Sequence, residues 1–428
     1  MVDPVIGTFA LIGTIIVIGL ISEELFRRTK IPSVIILIAL GLVIGPLSNY
    51  ADPKQLIDLA PLFAPIAFIM ILFDGGLKMD LFNVLKSSPR ALLLAVLTVV
   101  FSIVACAFIF NIVFGFDLLI GAVFGAIVGG SSSAIVMPIM ENVSSNEKLR
   151  NLLSVESIGT DVLCIVITIS LVAAYTTGVG DVFSIGGEIF SKFLVGAMFG
   201  AIAAIAWMKI LHDMKEKSLD YMITLATLFL LYSVAESFNG NGAIAVLVYG
   251  LVISNGLELS TLFRIKKYPM VDEVSIKKTH NEISFFIRTF FFVYLGIIAS
   301  ITDFFIMTVG IGLTVILFLV RFVSSYISVY KTALARYHAL VSSIAPRGLA
   351  AAVLAQLPFS SGIQEAKIFS ELVLVVIVTS VVLTTVLVWV VSKVENSEKK
   401  RKEKKSNKSL KRKKRDEEDM KQFVKLNQ

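Results

Sequence analysis

The sequence has little of what metal-binding and catalytic proteins use. Its 428 residues include only two cysteines and three histidines, and no cluster of them has the spacing of metal ligands. Cys106 and Cys164 both lie in apolar segments, which argues against a disulfide framework. No Gly-Lys-Ser/Thr phosphate loop is present. We therefore expect no cofactor, no ATP-driven activity from this chain and no enzyme.

Charge is also scarce. Charged residues make up 17% of the chain and hydrophobic residues 56%, with a mean hydropathy of +0.85, whereas a soluble globular domain has about 25% charged residues. Long apolar runs recur along almost the whole length, and no polar linker divides the chain before residue 394. This pattern predicts an all-α polytopic membrane protein whose residues 1–394 form one transmembrane domain, surrounded by lipid.

The net positive charge belongs to the C-terminal tail. From Lys393 onward the chain has 15 basic and seven acidic residues, while the remainder is close to neutral. We expect residues 395–428 to form a disordered tail on the anionic cytoplasmic membrane surface. Nucleic acid is the less favoured partner for these basic runs, and we expect none to bind.

Hydropathy predicts about 13 spans. Lys and Arg concentrate in alternate loops between them, which places the N-terminus outside and the C-terminus in the cytoplasm of a cell-membrane protein. The predicted spans are 5–22, 31–48, 61–77, 91–115, 118–140, 150–175, 184–210, 219–237, 241–256, 283–301, 303–330, 335–358 and 368–392.

Two of these spans are interrupted. The fifth contains Gly129-Gly130-Ser131-Ser132-Ser133, and the twelfth contains Ser342-Ser343-Ile344-Ala345-Pro346-Arg347-Gly348. Interrupted helices at matching positions in two halves of a chain indicate a transporter binding site. The two lie seven spans apart, and an odd offset reverses direction, so we expect inverted repeats.

Asp161 is the strongest candidate for chemistry. A charge at bilayer depth is costly, and such residues usually lie on an ion or proton path. On a helix, Ser157 and Thr160 share a face with Asp161. Oxygen ligands of this kind suit a hard cation such as Na⁺. We expect the carboxylate to bind a cation or a proton in turn, although an inert structural acid would give the same pattern.

Glu156 and Arg347 are a candidate ion pair. Arg347 lies mid-span, where an unpaired guanidinium would be costly. We expect Glu156 to be its partner, because Asp161 must stay available for the ion. A Pro-Arg-Gly turn with a snorkelling Arg347 is the alternative.

Six further polar residues have weaker signals. Asp74 is expected to cap or turn a helix end, and His280 lies near a predicted cytoplasmic end, as do His212 and His338. Arg321, deep in the eleventh span, is expected to pair with a residue that the sequence does not identify. Arg288 either snorkels or has a role in the core.

Six short motifs occur along the chain in this order: Arg28-Thr-Lys-Ile-Pro-Ser33, Gly41-Leu-Val-Ile-Gly-Pro46, Leu72-Phe-Asp-Gly-Gly-Leu77, Glu156-Ser-Ile-Gly-Thr-Asp161, Phe290-Phe-Phe-Val-Tyr-Leu-Gly296 and Ala345-Pro-Arg-Gly-Leu-Ala350. In this order and at these intervals they resemble the NhaP-like sodium/proton antiporters of the monovalent cation/proton antiporter superfamily. The resemblance covers roughly residues 10–390.

The resemblance implies a homodimer with a scaffold and a mobile core, in which two broken helices cross near the ion site. Asp161 matches the ion-binding Asp, and Ser157 matches a hydroxyl ligand. Ser131 matches a position that usually supplies Thr. Glu156 and Arg347 match a pair that stabilises the core. Relatives that move net charge carry two adjacent acids, so the single acid here implies electroneutral exchange.

Two departures from the family pattern bear on the choice of ion. Thr160 stands where the NhaP-like pattern has Asn, and Ser131-Ser132-Ser133 replaces the usual Thr-Asp-Pro. The second change is closer to the Kef-like potassium/proton branch. We therefore expect exchange of Na⁺ or Li⁺ for H⁺, with K⁺/H⁺ exchange as the alternative. A sodium-coupled organic-anion symporter of related fold is a more distant one.

Overall fold

A computed structural model describes residues 4–29, 32–47, 66–77, 79, 89–143, 146–178, 182–213, 220–256, 259, 273–298 and 304–394. These residues are predominantly helical, and no β-strand occurs among them. The predicted all-α architecture is confirmed. The basic tail, residues 395–428, lies outside the described residues, as do residues 48–65.

Fifteen helical segments are numbered here in chain order. They are α1 (Pro4–Thr29), α2 (Ser33–Leu42, continued by a π-helical turn Val43–Leu47), α3 (Ile66–Leu77), α4 (Pro89–Phe114), α5 (Leu118–Val128), α6 (Ser133–Val143), α7 (Glu147–Thr177), α8 (Val182–Asp213), α9 (Asp220–Ser237), α10 (Gly242–Ser254), α11 (Glu273–Ile298), α12 (Phe304–Val329), α13 (His338–Ser343), α14 (Leu349–Leu354) and α15 (Gln364–Val394).

A helix lies within each of the predicted spans. Among the described residues, six stretches are long and apolar enough to cross a membrane by length and composition, and five shorter apolar helices accompany them. The chain is a multi-pass membrane protein. Its exact number of spans, and the inverted-repeat relation, stay predictions.

Both predicted interruptions are present. The helix of the fifth span stops at Val128 and resumes at Ser133, and that of the twelfth stops at Ser343 and resumes at Leu349. Successive glycines and serines at the first break are poor helix formers. At the second, Pro346 lacks the backbone N–H that a continuing helix would need. The breaks leave backbone groups without intrahelical partners inside the protein.

Helix packing places α7 and α11 in different surroundings. Helix α7, which carries Asp161, packs against α4, α5 and α6, whereas α11 packs mainly against α2 and α1. Where α2 packs against α11, Gly41 lies so close to Gly296 that a Cβ on Gly41 would overlap the carbonyl oxygen of Val293. These glycines belong to two of the motifs on which the family resemblance rests, and their shared role is close helix packing.

Candidate functional site: the broken helices and the Asp161 cavity

The two breaks are bonded to each other. The backbone N–H of Ser132 donates to the carbonyl of Pro346 at 2.8 Å, and a guanidinium nitrogen of Arg347 donates to the carbonyl of Gly130 at 2.7 Å. Ser380, on α15, accepts from the backbone N–H of Arg347 at 3.0 Å. Backbone groups freed by each interruption are thereby satisfied by the other, as buried polar groups require.

Asp161 lies beside the first break. Its carboxylate accepts a hydrogen bond from the hydroxyl of Ser133, with 3.1 Å between the two oxygens. Ser133 is the first residue of α6, so the carboxylate stands at the positive end of that helix dipole. Asp161 is half-buried, which leaves part of its surface open to the cavity in front of it.

A cavity of about 60 Å³ lies in front of Asp161. This volume has room for a few water-sized particles, because one water needs about 10–15 Å³ by the same measure. Its polar lining comes from four helices and the first break, and the rest of the wall is apolar. The polar and charged lining residues are Asp74, Ser132, Ser133, Asp161, Ser284 and Arg288.

A second cavity of about 240 Å³ adjoins the first. The two share Ser132 and Arg288 among their lining residues, together with the apolar Ala134 and Leu349. Glu23 adds a carboxylate to the larger cavity. The two cavities therefore share part of their wall, and the larger one is lined by both an acidic and a basic side chain.

Glu156 is paired, but not with the residue that we predicted. Its two carboxylate oxygens accept from two guanidinium nitrogens of Arg321 at 2.8 and 3.1 Å. Ser131 donates its hydroxyl to the same carboxylate at 2.9 Å, and all three side chains are fully buried. The expected Glu156–Arg347 pair is wrong, because Arg347 turns its guanidinium to the carbonyl of Gly130 instead. Arg321 thus has the partner that the sequence could not identify.

The other predicted ion ligands bond within the protein. The hydroxyl of Ser157 donates to the carbonyl of Ser154 at 3.1 Å, and that of Thr160 to the carbonyl of Ser157 at 3.0 Å. Thr160 also accepts the backbone N–H of Ser131 at 3.1 Å, which supports the first break. None of Ser131, Ser157 and Thr160 lines the Asp161 cavity. Ion binding by these three stays a prediction that this geometry does not favour, and Ser133 occupies the position beside Asp161.

Asp74 lies at the Asp161 cavity as well as near the end of a helix. It lines the cavity with Asp161, and one of its oxygens lies 3.7 Å from Nε2 of the buried His280. The ring nitrogens of His280 also lie 3.1 Å from the hydroxyl of Tyr221 and 3.0 Å from that of Ser284. The signal in the sequence was the pair of glycines after Asp74, since Gly76 lies directly against the backbone of α10.

A family model described as "Sodium/hydrogen exchanger, transmembrane" matches residues 12–393. The chain belongs to this family. The match covers nearly all of the described helices and both broken ones. It confirms the resemblance to the monovalent cation/proton antiporters, a family of transporters rather than enzymes.

Curated relatives agree with this family. "Probable Na(+)/H(+) antiporter 2" of Methanocaldococcus jannaschii is 27% identical over 66% of this chain and 67% of its own length. "Na(+)/H(+) antiporter 1" of the same organism is 25% identical over 67% of each. "K(+)/H(+) antiporter NhaP" of Alkalimonas amylolytica is 21% identical over 88% of this chain and 64% of its own length.

The fold has a solved counterpart. The sodium proton antiporter MjNhaP1 from Methanocaldococcus jannaschii, solved at pH 8, matches 90% of this chain and 100% of its own with a TM-score of 0.73. Sequence identity in that match is 20%, so it shows the fold alone. The predicted antiporter fold is confirmed.

Proposed function

We propose that this protein is a secondary active transporter that exchanges Na⁺ for H⁺ by alternating access, with Asp161 binding cation and proton in turn. The observation that carries the proposal is the position of Asp161: a half-buried carboxylate, held by Ser133 at a helix N-terminus, facing a cavity of about 60 Å³. Such a site suits one small cation with oxygen ligands. Either a proton or a sodium ion can neutralise the carboxylate, and competition for one carboxylate is sufficient for exchange.

Exchange of K⁺ for H⁺ is the second candidate. The relative from Alkalimonas amylolytica named as a K⁺/H⁺ antiporter matches more of this chain than either Methanocaldococcus relative does. The serines at the first break, which replace the usual Thr-Asp-Pro, point the same way. An organic-anion symporter is less well supported, because the matching family and the curated relatives reported above are named as cation/proton exchangers.

Further proposals concern assembly, placement and stoichiometry. We propose a homodimer in the cell membrane, with the N-terminus outside and the basic tail in the cytoplasm. The proposed exchange is electroneutral, at one cation for one proton.

The decisive experiment measures proton flux in liposomes that contain the purified protein and an internal pH dye. Each of Na⁺, Li⁺ and K⁺ is added in turn, and the cation that drives proton movement identifies the substrate. Asp161→Asn should abolish this flux while folding and dimerisation are retained, because the amide keeps the volume but cannot carry charge or titrate. Normal cation-driven flux in that variant, or none from the native protein with any cation, would contradict the proposal.

A further inference from the structure

Helices α12 and α15 run side by side in the same direction. The hydroxyl oxygens of Thr314 and Thr379 lie 2.6 Å apart, and one turn earlier Gly310 packs directly against the side chain of Val375. Both contacts advance along the two helices together. The helices therefore end on the same side of the protein.

Three exposed basic side chains lie where these helices end. Lys331 follows α12, Lys393 is close to the end of α15, and Arg336 lies in the short turn that leads into α13. Counted from the threonine contact, both lysines lie about 21–26 Å further along, at about 1.5 Å per residue, and hence at a similar depth. The ring of His338 stacks edge-on against Phe322, which holds the turn with Arg336 against α12.

Each of these cations stands over an aromatic ring. The pairs are Lys331 over Tyr330, Arg336 over Tyr337 and Lys393 over Trp389, at 5.3, 4.7 and 4.9 Å from the ring centroids. A cation at such a distance from a ring face is attracted to it. Tyr330 and Trp389 are themselves exposed, and exposed tyrosine and tryptophan rings at helix ends concentrate at the level of lipid headgroups. The three cations are thus held at that level.

The chain around these cations has no acidic side chain to balance them. No Asp or Glu occurs between Asp303 and Glu365, and none occurs between Glu371 and Glu395. Among the residues that the structure describes, none of the three cations takes part in an ion pair. The patch therefore presents an uncompensated positive charge, which fits an anionic partner.

The outer faces of both helices are apolar up to this patch. Exposed hydrophobic side chains recur there at every fourth position, as Ile311, Val315, Leu319 and Val323 on α12 and as Val382 and Val386 on α15. A strip of this kind suits hydrocarbon chains, whereas the cations at its end suit phosphate oxygens. Together they match the two parts of a phospholipid.

We propose that Lys331, Arg336 and Lys393 bind the phosphate of an anionic phospholipid in the leaflet where α12 and α15 end. In the proposed orientation this is the cytoplasmic leaflet. Each basic side chain near an anionic membrane surface contributes about fivefold to the affinity. The lipid also contacts the chain just before the second broken helix, since Arg336 lies two residues before α13. The inference does not depend on which cation the protein exchanges.

Trp389 is a natural reporter for the test. The chain has two tryptophans, and the other one, Trp207, is buried. The full-length Trp207→Phe variant is placed in bilayers of phosphatidylcholine and phosphatidylglycerol, one of which carries brominated acyl chains that quench a neighbouring tryptophan. Comparing the quenching by each brominated lipid gives their relative affinity at Trp389. Phosphatidylglycerol should be preferred by about fivefold or more, the factor for at least one cation.

Matched variants make the test specific to the patch. Lys331→Gln combined with Arg336→Gln removes two cations without touching the contact between Lys393 and the reporter, and should lower the preference by about fivefold or more. Lys331→Arg combined with Arg336→Lys keeps both charges and should keep the preference. The control combines Arg28→Gln with Lys148→Gln, at two exposed cations that each lie close to an acidic residue, and should leave the preference unchanged.

Two results at the patch would overturn the inference: equal quenching by both lipids in the Trp207→Phe protein, and an unchanged preference in the double glutamine variant. If that double variant does not insert, Arg336→Gln alone serves in its place, and it should also lower the preference.

Deleting residues 398–428 separates the patch from the tail. The preference should persist in the deleted protein. Its loss would assign the lipid to the lysines of the tail, and a preference that appears only after the deletion would show that the acidic run at 416–419 occupies the patch in the full chain. Either outcome would contradict the inference.

Discussion

At the scale of single residues, the hydroxyl beside the site carboxylate comes from the broken helix and not from the helix of Asp161 itself. Ser133 donates to Asp161 across the break, whereas Ser157, one turn from Asp161 along α7, donates to its own helix backbone. The two serines therefore offer a matched comparison, since each can lose only a hydroxyl.

We expect Ser133→Ala to raise the sodium concentration needed for half-maximal exchange by about twofold to tenfold, the range that a net hydrogen-bond contribution of ~0.5–1.5 kcal/mol gives. Ser157→Ala should change it by less than Ser133→Ala does. Sodium-dependent proton flux in liposomes, titrated at fixed pH, measures both. Equal effects of the two substitutions would show that the hydroxyl beside Asp161 has no special part in the site.

The sequence alone identifies a functional residue when the evidence for it comes from its neighbours along the chain. Asp161 stands out because a carboxylate within an apolar run is costly wherever the helix lies. The partner of Glu156 is not local: Arg321 lies 165 positions away, and the sequence alone favours Arg347, because the packing of α12 against the core cannot be read from it. The place of Asp74 at the cavity was not predicted, for a related reason. A position near a helix end does not reveal that the end lies against a cavity.

At the scale of elements, the broken helices are held by two separate buried cations. Arg321 fixes α12 to α7 through Glu156, and Arg347 fixes the second break to the first through Gly130. Both interruptions were predictable from glycine, serine and proline runs. The partner of each arginine was not predictable. For Arg321 it depends on how α12 packs in the fold, and for Arg347 on the direction in which the side chain leaves the irregular backbone of the second break.

We expect Glu156 and Arg321 to be strongly coupled in stability. Removing either partner leaves a buried unpaired charge and should cost roughly 3–5 kcal/mol, whereas removing both should cost less than the sum. A double-mutant cycle with Glu156→Gln and Arg321→Gln, followed by thermal unfolding in detergent, measures the coupling. The matched cycle with Arg347→Gln should show a smaller value. Strict additivity in the first cycle would argue against the pair.

At the scale of the whole molecule, the proposed sharing of one site between Na⁺ and H⁺ predicts that transport depends on pH. Below the pKa of the site, the apparent sodium affinity should weaken by up to about tenfold per pH unit, because protons occupy the carboxylate. At high pH turnover should fall again, since no proton is available for the return step. Half-saturation constants measured across the active pH range test this. A constant sodium affinity over that range would rule out a shared site.

We also expect the transport chemistry to reside entirely within residues 1–394. Every residue of the described site lies between Glu23 and Ser380. The lysine-rich residues 395–428 include too few apolar side chains to form a core. Deleting residues 398–428 should therefore leave exchange intact, although expression can change. A truncated protein that inserts and dimerises but exchanges nothing at any pH would contradict this.

The ion pair between Glu156 and Arg321 has a consequence for biogenesis. The two residues are separated by 165 positions, and a ribosome that adds about 5–20 residues per second needs roughly 10–30 s to cover that distance. Glu156 is thus made, and its helix delivered to the insertion machinery, well before its counter-ion exists. For that interval the nascent chain has to keep the carboxylate of Glu156 out of the hydrocarbon interior, where an unpaired charge is costly. Synthesis of α12, which carries Arg321, is therefore the step that first allows this ion pair to form and the core to close.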